Sequence, residues 1–441
     1  MKTPEFPFPE AFLHYIWESK YFDLQDLITQ DQIPLHIFHS GMLNHNQGPD
    51  FSQAHLKIGE IEWWGNVEIH IHSEAWYTHK HHLDPTYNTT VLHVVFRSSG
   101  KPILRADGTT IPELVLEGRI FEEVWQRYER MSWERSSIPC SGLSKHVPEV
   151  VNHAWLDRLA IERILAKSTT IQQRLRETQH NWEQVLWENL AGMMGGPVNK
   201  TAFLHLAQQL PFDVLKRYGN SRIALEAMCM GAAGWLQKKA PKGSDNPSHN
   251  EHYYFRLQNE WGFLQKKHQL PASNPFPFHL HRMRPAAFPT LRLSQLAHLI
   301  HIFHPFIDLC LPENIQRFLQ TEIVASPYWD THYFFFDSQS FKKKRLGKEQ
   351  KHVLITNVLV PFAWLFLSSH GRPNYEVQLE DILSNLPPEI NRITRKFSPS
   401  FPPPAHAFHA QGMIQLYKHY CLEKRCLDCA IGRQVLRRET R

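Results

Sequence analysis

The sequence predicts an α/β domain with a mixed sheet at the N-terminal end, followed by a mostly α-helical domain. Two shifts in periodicity carry this expectation. Between residues 32 and 97, the runs QIPLHIFHSG, FSQAHLKIG, EIEWWGNVEIHIH and TVLHVVFR read as strands. From Phe121 onward, apolar residues recur at helical spacing instead. The order helix, three strands, crossover, strand indicates a mixed α/β layer.

Residues 10–22, EAFLHYIWESKYF, form an amphipathic pattern with Phe12, Ile16, Tyr15 and Phe22 on the buried face. Gly59-Glu60 fits a two-residue hairpin turn with glycine first. SEAWYTHKHHLDPTYN holds a helix or an irregular crossover, and TVLHVVFR, nearly all apolar, reads as a buried strand. PILRADGTTIPELVL is a further hairpin turning at Asp107-Gly108. FEEVWQRYERM is helical and SSIPCSG breaks it. Residues 150–190 then show long helical periodicity through Trp155, Leu159, Ile164, Ile171 and Leu175. Gly195-Gly196-Pro197 marks a turn, with Asn199 as a cap for TAFLHLAQQL. Further helices are expected at 221–238, 292–304, 312–321, 354–367 and 377–386. Segment 239–251 reads as a polar loop, and SPSFPPPA as a linker to a final element. These boundaries divide the chain into an α/β domain (1–120), a connector (121–149), a helical domain (150–400) and a cysteine-containing tail (401–441).

A chain of 441 residues allows two or three domains with real cores. Hydrophobic content of 42% and charged content of 21% are those of an ordinary soluble protein. No apolar run reaches the roughly 18 residues of a membrane span, and MKTPEFPFPEAF lacks a signal-peptide pattern. Cytoplasmic residence without a membrane partner is the expectation. A net charge of +5 permits an anionic partner, while composition carries no signal of oligomeric state. Neither G-x-x-x-x-G-K-[ST] nor G-x-S-x-G is present, which argues against ATP hydrolysis and serine-hydrolase chemistry.

The stretch from Gly48 to His93 concentrates the chemistry. Asp50 follows a Gly-Pro corner, and Glu68, His70 and His72 alternate along one strand face while Val67, Ile69 and Ile71 occupy the other. Two carboxylates and an imidazole at one sheet edge suit a divalent cation and a water molecule. Of 29 histidines, those at 70, 72, 79, 81 and 82 cluster. They support a second reading, a zinc site built from His70, His72, His79 and His81, although no H-E-x-x-H spacing is present. A plainer reading has Asp50 capping a turn, with Glu68, His70 and His72 on the solvated face of an edge strand.

The arrangement Gly48-Pro49-Asp50, hairpin, Glu68-Ile69-His70 resembles the PD-(D/E)XK nuclease superfamily. That resemblance implies a restriction-endonuclease-like fold and Mg²⁺ or Mn²⁺ held by Asp50 and Glu68, with a ligand from the Ile69 carbonyl. It also implies phosphodiester hydrolysis of DNA, in repair or defence. His70 stands where the superfamily has lysine, so it would orient the water or act as base. Because histidine titrates near about 6.5 and lysine near about 10.4, such a reaction should change with pH across the neutral range. The superfamily also places an acid on the first helix, for which Glu10 and Glu18 qualify. Asp84 and Tyr87, with His79 and His81 nearby, lie where a subgroup carries supporting residues. Nearly the whole chain is also similar to a bacterial family named domain of unknown function 2851, through PEAFLHYIW, GPDF, GNVEIH, the HKHHLD region, RPAAFPTLRLSQLA and the cysteine-rich end. A rival function is a non-catalytic nucleic-acid-binding or scaffold protein on a degenerate nuclease fold.

Cys421, Cys426 and Cys429 have the C-x4-C-x2-C spacing of three plant-type ferredoxin ligands. Cys140 is the best remote fourth, while Cys229 and Cys310 lie in apolar helical contexts. An iron–sulfur cluster or Zn²⁺ would accept these thiolates. The layout is similar to that of RecB-like members of the nuclease superfamily, which imply an iron–sulfur staple. For nucleic-acid contact the candidates are Lys342, Lys343, Lys344 and Arg345, a basic run that equally reads as a solvated loop. Arg282, Arg284 and Arg292 flank HRMRPAAFPTLRLSQL and suit phosphates or helix bracing. Trp63 and Trp64 suit base stacking or burial.

Overall fold

The computed structural model describes residues 6–44, 46–134, 136–237, 249–271, 276–281, 283–398 and 401–437. The chain separates into two compact units: 1–155 with 396–402 and 416–441, and 156–395 with 403–415.

The first unit begins with helix α1 (Glu10–Ser19) and strands β1 (Leu35–His39), β2 (Met42–Leu43), β3 (Phe51–Ile58) and β4 (Ile61–His72). A short helix α2 (Ala75–Thr78) and two 3-10 turns lead to β5 (Thr90–Arg97). Then come the small strands β6 (Ile103–Leu104), β7 (Thr110–Ile111) and β8 (Glu113–Val115), and helix α3 (Glu122–Trp133). The sheet order is β1-β3-β4-β5-β8, with β2 beside β3. The β1, β3 and β4 neighbours pair antiparallel, whereas β4–β5 and β5–β8 are parallel. Gly59 (φ +62°) at the β3–β4 turn and Gly108 (φ +83°) in the β6–β7 hairpin take left-handed angles that favour glycine. Parallel pairing of β4 with β5 requires a crossover, which the histidine-rich segment supplies.

Packing explains why α1 forms where it does. Phe12, Leu13, Ile16 and Trp17 are fully buried, each stabilising by roughly 1.5–3 kcal/mol. Phe12 stacks on Tyr128 of α3 at 4.1 Å, and Phe8 meets Trp125 at 4.8 Å. The carboxyl-terminal segment belongs to the same unit: Arg433 bonds Glu18 at 2.7 Å and its carbonyl accepts from the Tyr15 hydroxyl at 3.3 Å.

Two irregularities shape the middle of the sheet. Ser52 and Gln53 together oppose Asn66, a β-bulge with Gln53 at φ +57°. The β4–β5 register slips between Asn66 and Val67. Bulges of this kind redirect strand side chains and often border functional sites. Asp50 and Glu68 flank this one.

The second unit is helical, with Trp187, Phe203, Leu225, Phe306 and Trp329 fully buried in its core. The periodicity over 150–190 resolves into helices Glu149–Glu177 and Trp182–Met194. Between them, left-handed Gln179 and His180 stop the first helix, and Asn181 caps the second through a bond to the Gln184 N–H. Asn199 is no cap. It sits inside helix Gly196–Gln209, with its amide bonded to the main chain of His279. Of the loop expected at 239–251, residues 239–248 lie outside the described residues, and 249–251 open helix His249–His268. Within SPSFPPPA, residues 399 and 400 also lie outside them. The helical stretch Lys348–Ser369 is long and apolar enough to cross a membrane, at odds with the sequence expectation, but 61% of its apolar window is buried in the unit, as in a core helix.

Candidate functional site

Asp50 and Glu68 are locked together through main-chain bonds. Glu68 Oε2 accepts the Asp50 N–H at 3.0 Å, and Asp50 Oδ2 accepts the Ile69 N–H at 2.9 Å. Each carboxylate thus spends one oxygen on the other's strand and keeps its second for another partner. Glu68 is 4% exposed, so it is no part of a solvated edge. Burial raises the Glu68 carboxyl above its ordinary range, and burial likewise raises that of Glu10 at the start of α1. His14, one helical turn after Glu10, brings Nε2 to 3.4 Å from Asp50 Oδ2. Burial pulls the His14 imidazole down, but the close approach of Asp50 and the charges of Glu10 and Glu68 outweigh it and leave it raised.

The histidines form a chain running inward from this pair. His70 Nδ1 lies 2.9 Å from His93 Nε2, and His93 Nδ1 lies 3.1 Å from Glu113 Oε2, which also accepts from the Ser73 hydroxyl at 2.8 Å. Carboxylate oxygens only accept, so His93 donates from Nδ1 and offers a lone pair at Nε2. His70 then donates from Nδ1 and turns a lone pair at Nε2 outward. At that lone pair stand His79 Nδ1, 3.2 Å away, and Glu68 Oε1, 3.7 Å away. His81 Nε2 is 3.2 Å from Glu68 Oε1 yet is not directed for a hydrogen bond, leaving a buried nitrogen without a hydrogen-bond partner.

His70 is 1% exposed. Burial, and then the positive potential of neighbouring histidines, hold its pKa down at about 2. The expected neutral-range pH response through His70 is therefore overturned: this imidazole stays neutral and cannot replace a lysine's charge. His72 is displaced from the cluster, pairing in register with Arg97 at the end of β4. The four-histidine zinc grouping is thus corrected to His70, His79 and His81, whose donor atoms all lie within 4.8 Å of one another.

A family model described as "Protein of unknown function (DUF2851)" matches residues 10–392. The chain belongs to this family. No curated protein and no solved structure matches it. The matched span contains every residue of the carboxylate–histidine cluster and stops short of Cys421, Cys426 and Cys429.

Other expected residues of this DUF2851 chain fall at varied distances from the cluster. Tyr87 packs its ring 3.9 Å from that of His81, and burial pushes its hydroxyl up to about 12. Asp84 is exposed and caps the turn at Thr86, whose main-chain and side-chain bonds lower its pKa. Glu18 pairs with Arg433 and takes no part in the cluster. Cys140, Cys421, Cys426 and Cys429 line a single small cavity, and none is in a disulfide. Burial raises all four thiols, Cys426 to about 12, with neighbouring sulfurs adding to the shift for Cys140, Cys421 and Cys426. Cys229 and Cys310 are wholly buried in the second unit.

The basic run divides. Lys344 is 6% exposed with Nζ 3.9 Å over the Tyr333 ring, so it is withdrawn from any phosphate. Lys343 and Arg345 both pair with Glu322, while Lys342 and Arg284 are exposed. Arg292 is internal, bonded to Gln295, and burial lowers it to about 10. Arg282 lies outside the described residues. Trp63 and Trp64 are exposed, and Trp64 stacks on His55 at 3.9 Å, with Phe38 on the opposite side of His55 at 4.5 Å.

The sequence reading missed His14, His93, Glu113 and Ser73. His93 and Glu113 had a signal: each is the one ionisable residue inside an apolar run, LHVV and IPELVL. Buried polar groups need partners, so two such residues on successive strands predict each other.

Proposed function

We propose that this protein is a metal-dependent hydrolase of phosphodiester bonds in DNA. The observation that carries the reading is the Asp50–Glu68 latch, placed where the sheet changes from antiparallel to parallel pairing and backed by His14 and Glu10. The order of α1, three antiparallel strands, a crossover and a parallel strand supports the restriction-endonuclease-like comparison.

In this reading Asp50 and Glu68 hold a divalent ion such as Mg²⁺ or Mn²⁺, which would polarise the phosphodiester and lower the pKa of a bound water. Their main-chain bonds fix the carboxylates before substrate arrives, so little reorganisation is needed during reaction. His70 holds its lone pair toward the site through His93 and Glu113 and orients the attacking water by accepting its proton in a hydrogen bond. The raised carboxyl of Glu10 provides a group able to exchange a proton beside it. Exposed Trp64 and Phe38 supply ring faces for bases, and Lys342 and Arg284 supply charge for phosphates. The four-cysteine cavity is read as a site for an iron–sulfur cluster or Zn²⁺ that staples the carboxyl-terminal segment.

The test is cleavage of linear, single-stranded and branched DNA with Mg²⁺ or Mn²⁺, comparing the native chain with Glu68→Ala. Activity that disappears in the folded variant supports the reading. DNA binding by both proteins without cutting by either transfers support to the non-catalytic scaffold, which the buried neutral His70 favours.

A further inference from the structure

The carboxylate pair alone describes an oxygen-donor site suited to Mg²⁺. The surrounding atoms do not. Three imidazole nitrogens, His70 Nε2, His79 Nδ1 and His81 Nε2, lie within 4.8 Å of one another, and Glu68 Oε1 approaches two of them. A tetrahedral ion with bonds of about 2.0–2.1 Å places neighbouring ligand atoms about 3.3 Å apart. The separations are 3.2 Å for His70–His79, 3.2 Å for His81–Glu68 and 3.7 Å for His70–Glu68. The two shorter ones match edges of such a tetrahedron, and the third is longer than an edge.

Two further features point to a ligand. His81 Nε2 is buried with no hydrogen-bond partner, 3.2 Å from Glu68 Oε1 but not directed at it, a cost that a coordinate bond would remove. Behind His70, the His93–Glu113 pair fixes its tautomer with the Nε2 lone pair outward. Metal-binding histidines commonly have this carboxylate-linked backing, which orients the ring and increases its basicity. His79 is exposed, so the cluster is open on one side to solvent.

We propose that His70, His79 and His81, with Glu68 as fourth donor, form a site for a nitrogen-preferring transition ion of the Zn²⁺ class, oriented by the Glu113–His93 relay. Imidazole suits Zn²⁺ and Fe²⁺, whereas Mg²⁺ retains oxygen ligands and water. The inference deepens the proposed hydrolase by changing its ion and giving the His70 Nε2 lone pair to that ion in place of the water, because Glu68 and His70 are shared, but it stands on the donor set whether or not hydrolysis occurs.

The experiment uses the full chain, stripped with a chelator and titrated with Co²⁺. A four-coordinate nitrogen–oxygen site gives intense visible d–d bands, and Co²⁺ at the cysteine cavity is told apart by its near-ultraviolet sulfur charge-transfer band. The visible bands should appear at one equivalent, disappear on adding Zn²⁺ and persist in excess Mg²⁺. His79→Ala and His81→Ala should each weaken Co²⁺ binding at least about 100-fold, while His72→Ala changes it less than about threefold. His79 is exposed, so its variant should keep the native circular-dichroism spectrum. Unchanged visible bands in both His79→Ala and His81→Ala, or displacement by Mg²⁺ at concentrations similar to Zn²⁺, would overturn the site. Protein that binds Co²⁺ as described but cuts no nucleic acid with Zn²⁺, Mg²⁺ or Mn²⁺ would retire the hydrolase and leave the site intact. Cleavage with Mg²⁺ alone, at the same rate in His79→Ala, would do the reverse.

Discussion

At the scale of single residues, the cluster depends on Glu113, which touches no proposed ligand donor. Its Oε2 fixes His93, and His93 fixes His70. Replacing it with glutamine keeps the shape but removes the charge and lets an amide N–H face His93, so the tautomer chain is no longer enforced. Glu113→Gln should weaken Co²⁺ or Zn²⁺ binding by about 10-fold to 100-fold. Equilibrium titration of the stripped protein measures this, with unfolding followed in parallel. Equal affinity in variant and parent would mean that the relay is only packing. Much of this site was legible in the sequence. Asp50 and Glu68 were found because a Gly-Pro corner and strand alternation fix where their side chains point. His93 and Glu113 were not, because each sits in a strand whose apolar neighbours hide one polar residue, and their pairing depends on β5–β8 register. The neutral-range titration expected of His70 failed for a different reason. Residue type states what can titrate, but burial decides whether it does.

At the scale of elements, the junction of β4 and β5 is tightly packed. A Cβ at Gly65 would stand 2.4 Å from Val91 Cγ1 and 2.8 Å from the Thr89 carbonyl oxygen. Gly65→Ala should cost about 1–3 kcal/mol through overpacking and displace the strand that carries Glu68 and His70. Denaturant unfolding, with metal affinity measured on the folded protein, checks both effects. Helix Pro289–Ile302 carries an acid-sensitive bond in the second unit, where His298 Nδ1 accepts the Val324 N–H at 3.0 Å. Burial, and then Arg222 and His301, push His298 down to about 4. Between about 6.5 and that value the unfolded chain binds a proton that the folded chain refuses, so stability is lost as pH falls through this window. The loss should be roughly 1–2 kcal/mol, after allowance for the partial exposure of the ring. His298→Gln keeps an acceptor without a titration and should flatten the pH dependence by that amount; parallel stability–pH curves would refute the assignment. Elements were most legible where periodicity was long. The hairpin turns at Gly59 and Gly108 were also correctly read because only glycine adopts those angles cheaply. The start of helix His249–His268 escaped, since its first turn continues a polar stretch and its buried face begins only at Tyr254, Leu257, Trp261 and Leu264.

At the scale of the whole molecule, the chain returns to its beginning. Residues 416–441 join the unit that holds residues 1–155, and Cys140 meets three cysteines nearly 300 positions later. The sequence indicated those four thiols by their spacing and by the turn around Cys140, but not the bonds from Arg433 to α1 that accompany them. Whether the sulfurs form a shared site or are four inert core residues is a question of additivity. Independent buried cysteines should behave as small hydrophobes, each replacement by alanine costing its own increment and the double variant costing the sum. Sulfurs that share one ion or cluster cannot behave so, because the first lost ligand already removes most of the bound group's contribution. In a cycle of Cys140→Ala, Cys429→Ala and the double variant, each single change should therefore lower the melting temperature and release bound iron or zinc. The double change should add little, giving a coupling of about 1–3 kcal/mol. A second transition from the helical unit should remain in place throughout, because none of these residues belongs to it. Strict additivity without metal release would retire the staple and leave the carboxyl-terminal segment held by contacts such as Arg433 with Glu18 and Tyr15, and Arg127 with the Val435 and Arg437 carbonyls.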